Sequence, residues 1–166
     1  MNLDEEAGQI EWLRPGRYVG FINSVKLTVT RNQKMCAEFL VRCPEGQQRF
    51  RLMLQGNCLW TWQRLASNVG IPKEEREDWP LEYDKTDLNR LKAGGMDEKA
   101  ARKAARIVVT DESKLGWLFM SKPVGITVIE KKGDKSTFTA VDETFTPSDE
   151  EIEAARLGMD DDEIPF

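Results

Sequence analysis

Histidine is absent from this 166-residue chain, which removes the commonest general base together with the familiar Ser/His and Cys/His nucleophile pairs. Cysteine is scarce: Cys36, Cys43 and Cys58 are odd in number, lack CxxC spacing and have no histidine to complete a zinc site. They are expected to be free thiols in a reducing cytosol. No stretch approaches the roughly 18 apolar residues of a membrane span, and the opening MNLDEEAGQIEW holds neither a basic n-region nor an apolar h-region. A soluble, cytoplasmic chain with no membrane partner is the expectation. There is no GxxxxGK(S/T) phosphate loop and no GxSxG elbow. Carboxylates such as Glu130, Asp142 and Glu143 are of the kind a metal-dependent nuclease uses, but nothing in their spacing demands it. The chain reads as a non-enzyme without cofactor or metal.

What is present is charge, unevenly spread. The formal net charge of −5 argues against a polyanionic partner until its distribution is followed along the chain. From Ser148 onward eight acids face Arg156 alone, a net of −7, so residues 1–147 carry 23 bases and 21 acids, a net of +2. Four of those acids (Asp4, Glu5, Glu6, Glu11) precede Arg14, leaving residues 14–147 at +6. The body is mildly basic and its ends are acidic.

With 40% hydrophobic residues the body supports one core. Residues 16–30 alternate as a long strand, with Val19, Phe21, Val25, Leu27 and Val29 on its inward face. Asn23 interrupts that row, which predicts a bulge or a sharp bend. Residues 35–42 form a second strand with Met35, Ala37, Phe39 and Val41 inward, and Pro44-Glu45-Gly46 turns into a third over 47–55, with Phe50, Leu52 and Leu54 inward. Leu59, Trp62, Leu65, Ala66 and Val69 recur at helical spacing between Asn57 as N-cap and Gly70 as C′ residue. Residues 73–87 are polar and irregular, and 96–108 read as a helix. Two more strands follow at 124–131 and 136–145. Ser148 and Glu151 then make a capping box for a short helix ended by Gly158. Three meandering strands, a helix, an insert at about 73–114 and a closing hairpin give the strand order of a mainly β, five-stranded Greek-key OB barrel. The expected organisation is an OB domain over 1–147 and an acidic tail over 148–166.

The last seven residues are Asp160, Asp161, Asp162, Glu163, Ile164, Pro165 and Phe166. Four acids lead into an apolar anchor and a carboxylate, features that a basic pocket can read together, and Pro165 limits the freedom lost on docking. A purely solubilising tail needs neither Ile164 nor Phe166. This run resembles the acidic tip of bacterial single-stranded DNA-binding proteins, which end in Asp-Asp-Asp-Ile-Pro-Phe; Glu163 is one inserted acid. The resemblance implies that Asp160, Asp161, Asp162, Ile164, Pro165 and Phe166 bind helicases, primase, nucleases and recombination or repair proteins, with the terminal Phe in a pocket and the acids against a basic rim. The body, with almost no linker and an extra insert, is more similar to the divergent OB-type single-stranded DNA-binding proteins of tailed phages. A bacterial cytoplasm, with either a host or a phage gene, is what that implies.

Single-strand binding wants cations that track phosphates and exposed aromatic faces on which bases stack. The outward register of the strands offers Arg17, Lys26, Arg42, Arg49, Arg51, Lys131, Lys132 and Lys135, although a charged outer face is also what any half-buried sheet presents. Lys99, Arg102, Lys103 and Arg106, at i, i+3, i+4 and i+7, add a cationic stripe or simply a solvated helix face. Phe21, Phe39, Phe50 and Trp62 belong to the core by register. Trp60, off its helix's apolar stripe, and Tyr18 and Phe138, outward by alternation, are the stacking candidates, while Trp12, Trp79 and Trp117 have no assigned place. A second reading is an adaptor or decoy that binds host proteins through the tip and no DNA, although an adaptor gains nothing from clustering Arg42, Arg49 and Arg51. Self-association through an edge strand leaves no sequence mark and stays open.

Overall fold

A computed structural model describes residues 11–159. In chain order it contains β1 (Gly16–Val29), β2 (Met35–Cys43), β3 (Gly46–Met53), α1 (Leu59–Asn68), β4 (Leu81–Tyr83), α2 (Lys85–Ala93), α3 (Glu98–Ala104), β5 (Ile107–Val109), α4 (Glu112–Phe119), β6 (Pro123–Lys132), β7 (Thr137–Phe145) and α5 (Asp149–Leu157). The alternating segments of the sequence become the strands of one antiparallel sheet, ordered β3-β2-β1-β6-β7, and the insert adds the small β4-β5 ladder. The acidic tip, residues 160–166, lies outside the described residues.

The closed barrel expected from the strand order is corrected to an open sheet: β3 and β7 are its edges, and among the described residues no backbone ladder joins them. The backbone of Gln47 on β3 is engaged elsewhere, donating to the Glu11 carbonyl at 2.8 Å and accepting from the Leu13 amide at 2.9 Å. The segment around Trp12 thus covers the edge of β3 at this one residue. The two edges instead meet through side chains, Gln48 Nε2 donating to Thr139 Oγ1 at 2.9 Å.

The bulge predicted at Asn23 is present, since the β1–β2 register shifts between Ile22 and Ser24. One extra residue exchanges which parity of side chains faces which side of the sheet. Val25 and Leu27 face the main core as expected, but on the near side of the bulge it is Tyr18 and Ile22 that do so. Val19 and Phe21, expected inward with them, lie on the opposite face beneath α5, with Ile152, Ala155 and Met159. The main core is aromatic at its centre. Phe39 stacks on Phe50 with centroids 5.0 Å apart and meets the edges of Trp62 and Phe119 at 5.8 and 5.3 Å. Leu65 of α1 and Leu115 and Leu118 of α4 close it from below.

The expected Asn57 cap is replaced by a 3-10 turn over Gly56–Cys58, and α1 starts after Cys58 without a side-chain cap. The insert causes this: Gly56 N–H donates to the Ala105 carbonyl at 2.8 Å, and a Cβ on Gly56 would stand 1.6 Å from the Arg102 carbonyl oxygen. Only glycine lets the two backbones approach so closely. Gly70 follows α1 at φ 82°, as a C′ glycine should. The helix expected over 96–108 stops at Ala104. Ile107-Val108-Val109 are β-branched and pair with β4, and the Arg106 amide donates to Asp87 Oδ2 at 2.9 Å instead of continuing a helix. The polar stretch 73–87 also holds more structure than its composition suggests, because Asp84, like Asp97 and Asp111 further on, caps a helix through its side chain.

The capping box of Ser148 and Glu151 opens α5 as expected. This helix docks on β1: Ala155 and Met159 bury against Phe21, Arg17 pairs with Glu151, and the Arg17 guanidinium lies 4.0 Å over the Phe145 ring. The Arg17 hydrogen bond and the Ser148 amide hold the Glu151 carboxyl down, from its ordinary 4.5 to about 2. A carboxyl whose folded pKa is lowered stabilises the fold above its unfolded value and loses that contribution as pH falls through the folded one. Docking of α5 is therefore expected to weaken between pH 4.5 and about 2. In an NMR titration the Glu151 side-chain carbonyl should move at low pH in the wild type and close to the ordinary value in Arg17→Met; equal midpoints would show that Arg17 does not hold it.

Candidate nucleic-acid interface

The β2–β3 pairing sets Glu38 opposite Arg51 and Leu40 opposite Arg49, and β1 sets Lys26 opposite Glu38. The outward basic face therefore exists, with an acid at its centre that a count of its cations does not include. Glu38 sits 3.2 Å from Arg51 Nε and 3.5 Å from Arg49 Nη1. Both guanidinium groups are about half exposed, so these contacts are screened and weak. They orient the arginines more than they neutralise them. Arg42 lies further along this face, half-buried opposite Phe21, and its Nε is enclosed without an acceptor. Arg17 is turned to Glu151 and Phe145, and so is engaged in docking α5.

The seam between β3 and β7 gathers the most chemistry. At one end Trp12, Gln48, Arg49, Phe138, Thr139 and Ala140 line a cleft. Trp12 is 48% exposed and Phe138 51%, and the Arg49 guanidinium stands 5.0 Å from the Trp12 ring centroid, within cation–π range. Lys131 pairs in register with Phe138, and Lys132 and Lys135 are exposed on the same hairpin. Past the Gln48–Thr139 bridge a second cleft opens between β3, α1 and β7, walled by Arg51, Trp60, Arg64, Asp142 and Glu143. Trp60 is 63% exposed. The seam thus has an aromatic platform at each end and guanidinium groups along it. Trp12 and Arg64 are not among the candidates that alternation and helical spacing single out. The one signal for Trp12 is a large aromatic set between Glu11 and Arg14, outside any apolar row.

The other candidates lie elsewhere. Tyr18, expected outward, faces the core because of the bulge, and its hydroxyl donates to the Arg14 carbonyl at 2.8 Å. Lys99, Arg102 and Lys103 are exposed on α3, where Arg102 Nε reaches Glu98 at 3.0 Å and Lys92 pairs with the same carboxylate. The stripe is shorter than its spacing suggested, since Arg106 has left the helix and bridges to Gln55. None of these four lines either seam cleft.

The three cysteines are free. Burial pushes all three thiols up, Cys43 to about 12 with a further push from Glu45, so they are protonated at neutral pH. Among the described residues no group of three or more acidic or thiol side chains is arranged to hold a metal ion, and no helix is long and apolar enough to cross a membrane. No protein-family model matches the chain, and no curated protein is significantly similar to it.

Proposed function

We propose that the chain is a non-enzymatic, largely sequence-independent single-stranded DNA-binding protein, acting in replication, recombination or repair, whose strand lies along the β3–β7 seam. The observation that carries this reading is the grouping of exposed Trp12 and Phe138 around Arg49, with Lys131, Lys132 and Lys135 beside them. Bases stack on such rings at about 1–3 kcal/mol each, and cations follow the phosphates. The sheet order supports an OB-type relationship: β1 pairs with β2 and β6, and the edge strands β3 and β7 face one another, as in a partly open Greek-key barrel whose strand 2–3 face and two adjoining loops bind oligonucleotides. Here those loops are residues 30–34 and 133–136. On this reading Asp160 to Phe166 recruit helicase, primase, nuclease or recombination proteins to the bound strand, as the resemblance of the tip implies.

Glu38, seated between Arg49 and Arg51, favours a second reading in which the chain is an adaptor that engages partner proteins through the tip and touches no DNA. One titration separates the two. A labelled mixed-sequence strand of about 30 nucleotides, long enough for more than one OB site, is titrated with the full chain at two salt concentrations beside a matched duplex. The expected result is tight, salt-weakened binding to the single strand, a weak duplex signal and quenching of tryptophan emission. Absence of binding at low salt would leave the adaptor.

A further inference from the structure

Asp142 stands where alternation alone would not put it. The β6–β7 register pairs Thr127 with Glu143 and Val128 with Val141, so Asp142 is the extra residue of a bulge, a device that re-aims a side chain. As a result Val141, Asp142, Glu143 and Thr144 all contribute to the wall of the second cleft, facing Trp60. Glu143 is engaged by Arg64 at 3.0 Å. The Asp142 side chain is exposed, and among the described residues it has no ion pair or hydrogen bond. A free carboxylate beside an exposed indole is poorly suited to a phosphate, which it repels. It suits a base: the ring stacks on the indole and the carboxylate accepts from an exocyclic amine, as acidic side chains accept from cytosine N4. Arg51 and Arg64 line the same cleft, each about half exposed and also paired with a carboxylate, Glu38 and Glu143, so they can meet an adjoining phosphate only by sharing or exchanging those partners.

We infer that the cleft between β3, α1 and β7 is a base-reading subsite that holds one nucleotide of the single strand, stacked on Trp60 with its amino group donating to Asp142. This rests on the single-strand reading above and adds a preference to it: cytosine, which carries an amine, is favoured over thymine, which carries a carbonyl at the same position. The preference is imposed at one nucleotide only, so binding stays largely indifferent to sequence elsewhere along the seam.

The test compares the full chain with Asp142→Ala and Trp60→Ala on oligo-dC and oligo-dT of equal length, at mildly alkaline pH where cytosine is neutral. Both replaced side chains are exposed, and equal melting temperatures would confirm intact folds. The wild type is expected to favour dC about tenfold, the discrimination of one good base contact. Asp142→Ala should abolish that ratio while leaving dT binding equal or slightly tighter, and Trp60→Ala should weaken both strands about tenfold or more, the loss of one stack. A purely electrostatic role for Asp142 would tighten both strands equally with the ratio unchanged, and would overturn the inference. So would a wild type without dC preference, or Trp60→Ala binding like wild type; in each of these cases single-strand binding itself survives. If the wild type binds neither strand, the single-strand reading fails instead.

Discussion

Replacing Trp12 and Phe138 together with alanine is expected to weaken single-strand binding about 100-fold or more, taking two stacks at about 1–3 kcal/mol each. Both rings are about half exposed at the Arg49 end of the seam, so neither holds the main core together, and the fold should survive. Loss of Trp12 also frees the Arg49 guanidinium from the ring beneath it, which lowers its preorganisation without removing its charge. The slope of affinity against salt should therefore be nearly unchanged, because that slope counts phosphate contacts and not stacks. Fluorescence anisotropy at several salt concentrations reads both quantities. An affinity within twofold of wild type would move the strand's path away from this end of the seam. A lower affinity with a much shallower slope would mean that the rings act by positioning cations.

Trp62→Ala is expected to be the most damaging single change to the fold. Trp62 is 0% exposed, edges against Phe39 and Phe119 at 5.8 and 6.2 Å, and donates its indole N–H to the Met53 carbonyl at 3.0 Å. Truncation leaves a cavity where the sheet meets α1 and α4 and strips that carbonyl of a partner. Large-to-small replacements of this kind cost about 3–5 kcal/mol, against a total stability of about 5–15 kcal/mol for an ordinary domain. Urea unfolding followed by far-ultraviolet circular dichroism measures it without relying on tryptophan emission. Trp62→Phe should recover part of the loss, since it keeps the ring contacts and gives up the hydrogen bond. A cost below about 1 kcal/mol for the alanine variant would mean that the site collapses around the missing ring, contrary to the close packing of interiors.

The two tryptophans on α1 show how differently neighbouring residues depend on context. Helical spacing alone separates Trp62, on the apolar stripe with Leu65 and Ala66, from Trp60, off it. Periodicity is therefore enough to tell the core tryptophan from the exposed one. What Trp60 faces is another matter, because its cleft is completed by β7, about eighty residues away in sequence. Similarly, Arg49 and Arg51 are legible as outward from alternation, whereas Glu38 between them is a consequence of strand register. Register depends on the turn at 43–46 and on burial across the sheet. Trp12 joins the seam only because residues 11–13 take the edge of β3, a pairing of single residues that leaves no periodic signal.

Local periodicity and capping specify all five long strands, the bulge at Asn23, the cores of α1 and α5, the Ser148–Glu151 box and the acidic run of residues 160–166. These features depend on neighbours a few residues apart, so a short window of sequence contains their cause. Long-range packing governs what happens around the bulge, where a one-residue shift sends Phe21 under α5 and turns Tyr18 toward the core. It also sets the Trp12 segment against the edge of β3 at Gln47, and it ends the helix of the insert early to pair Ile107–Val109 with Leu81–Tyr83. Each of these is a choice between two partners for the same backbone or the same side chain. The winner is set by how much each alternative buries and satisfies at once, a comparison no local window holds.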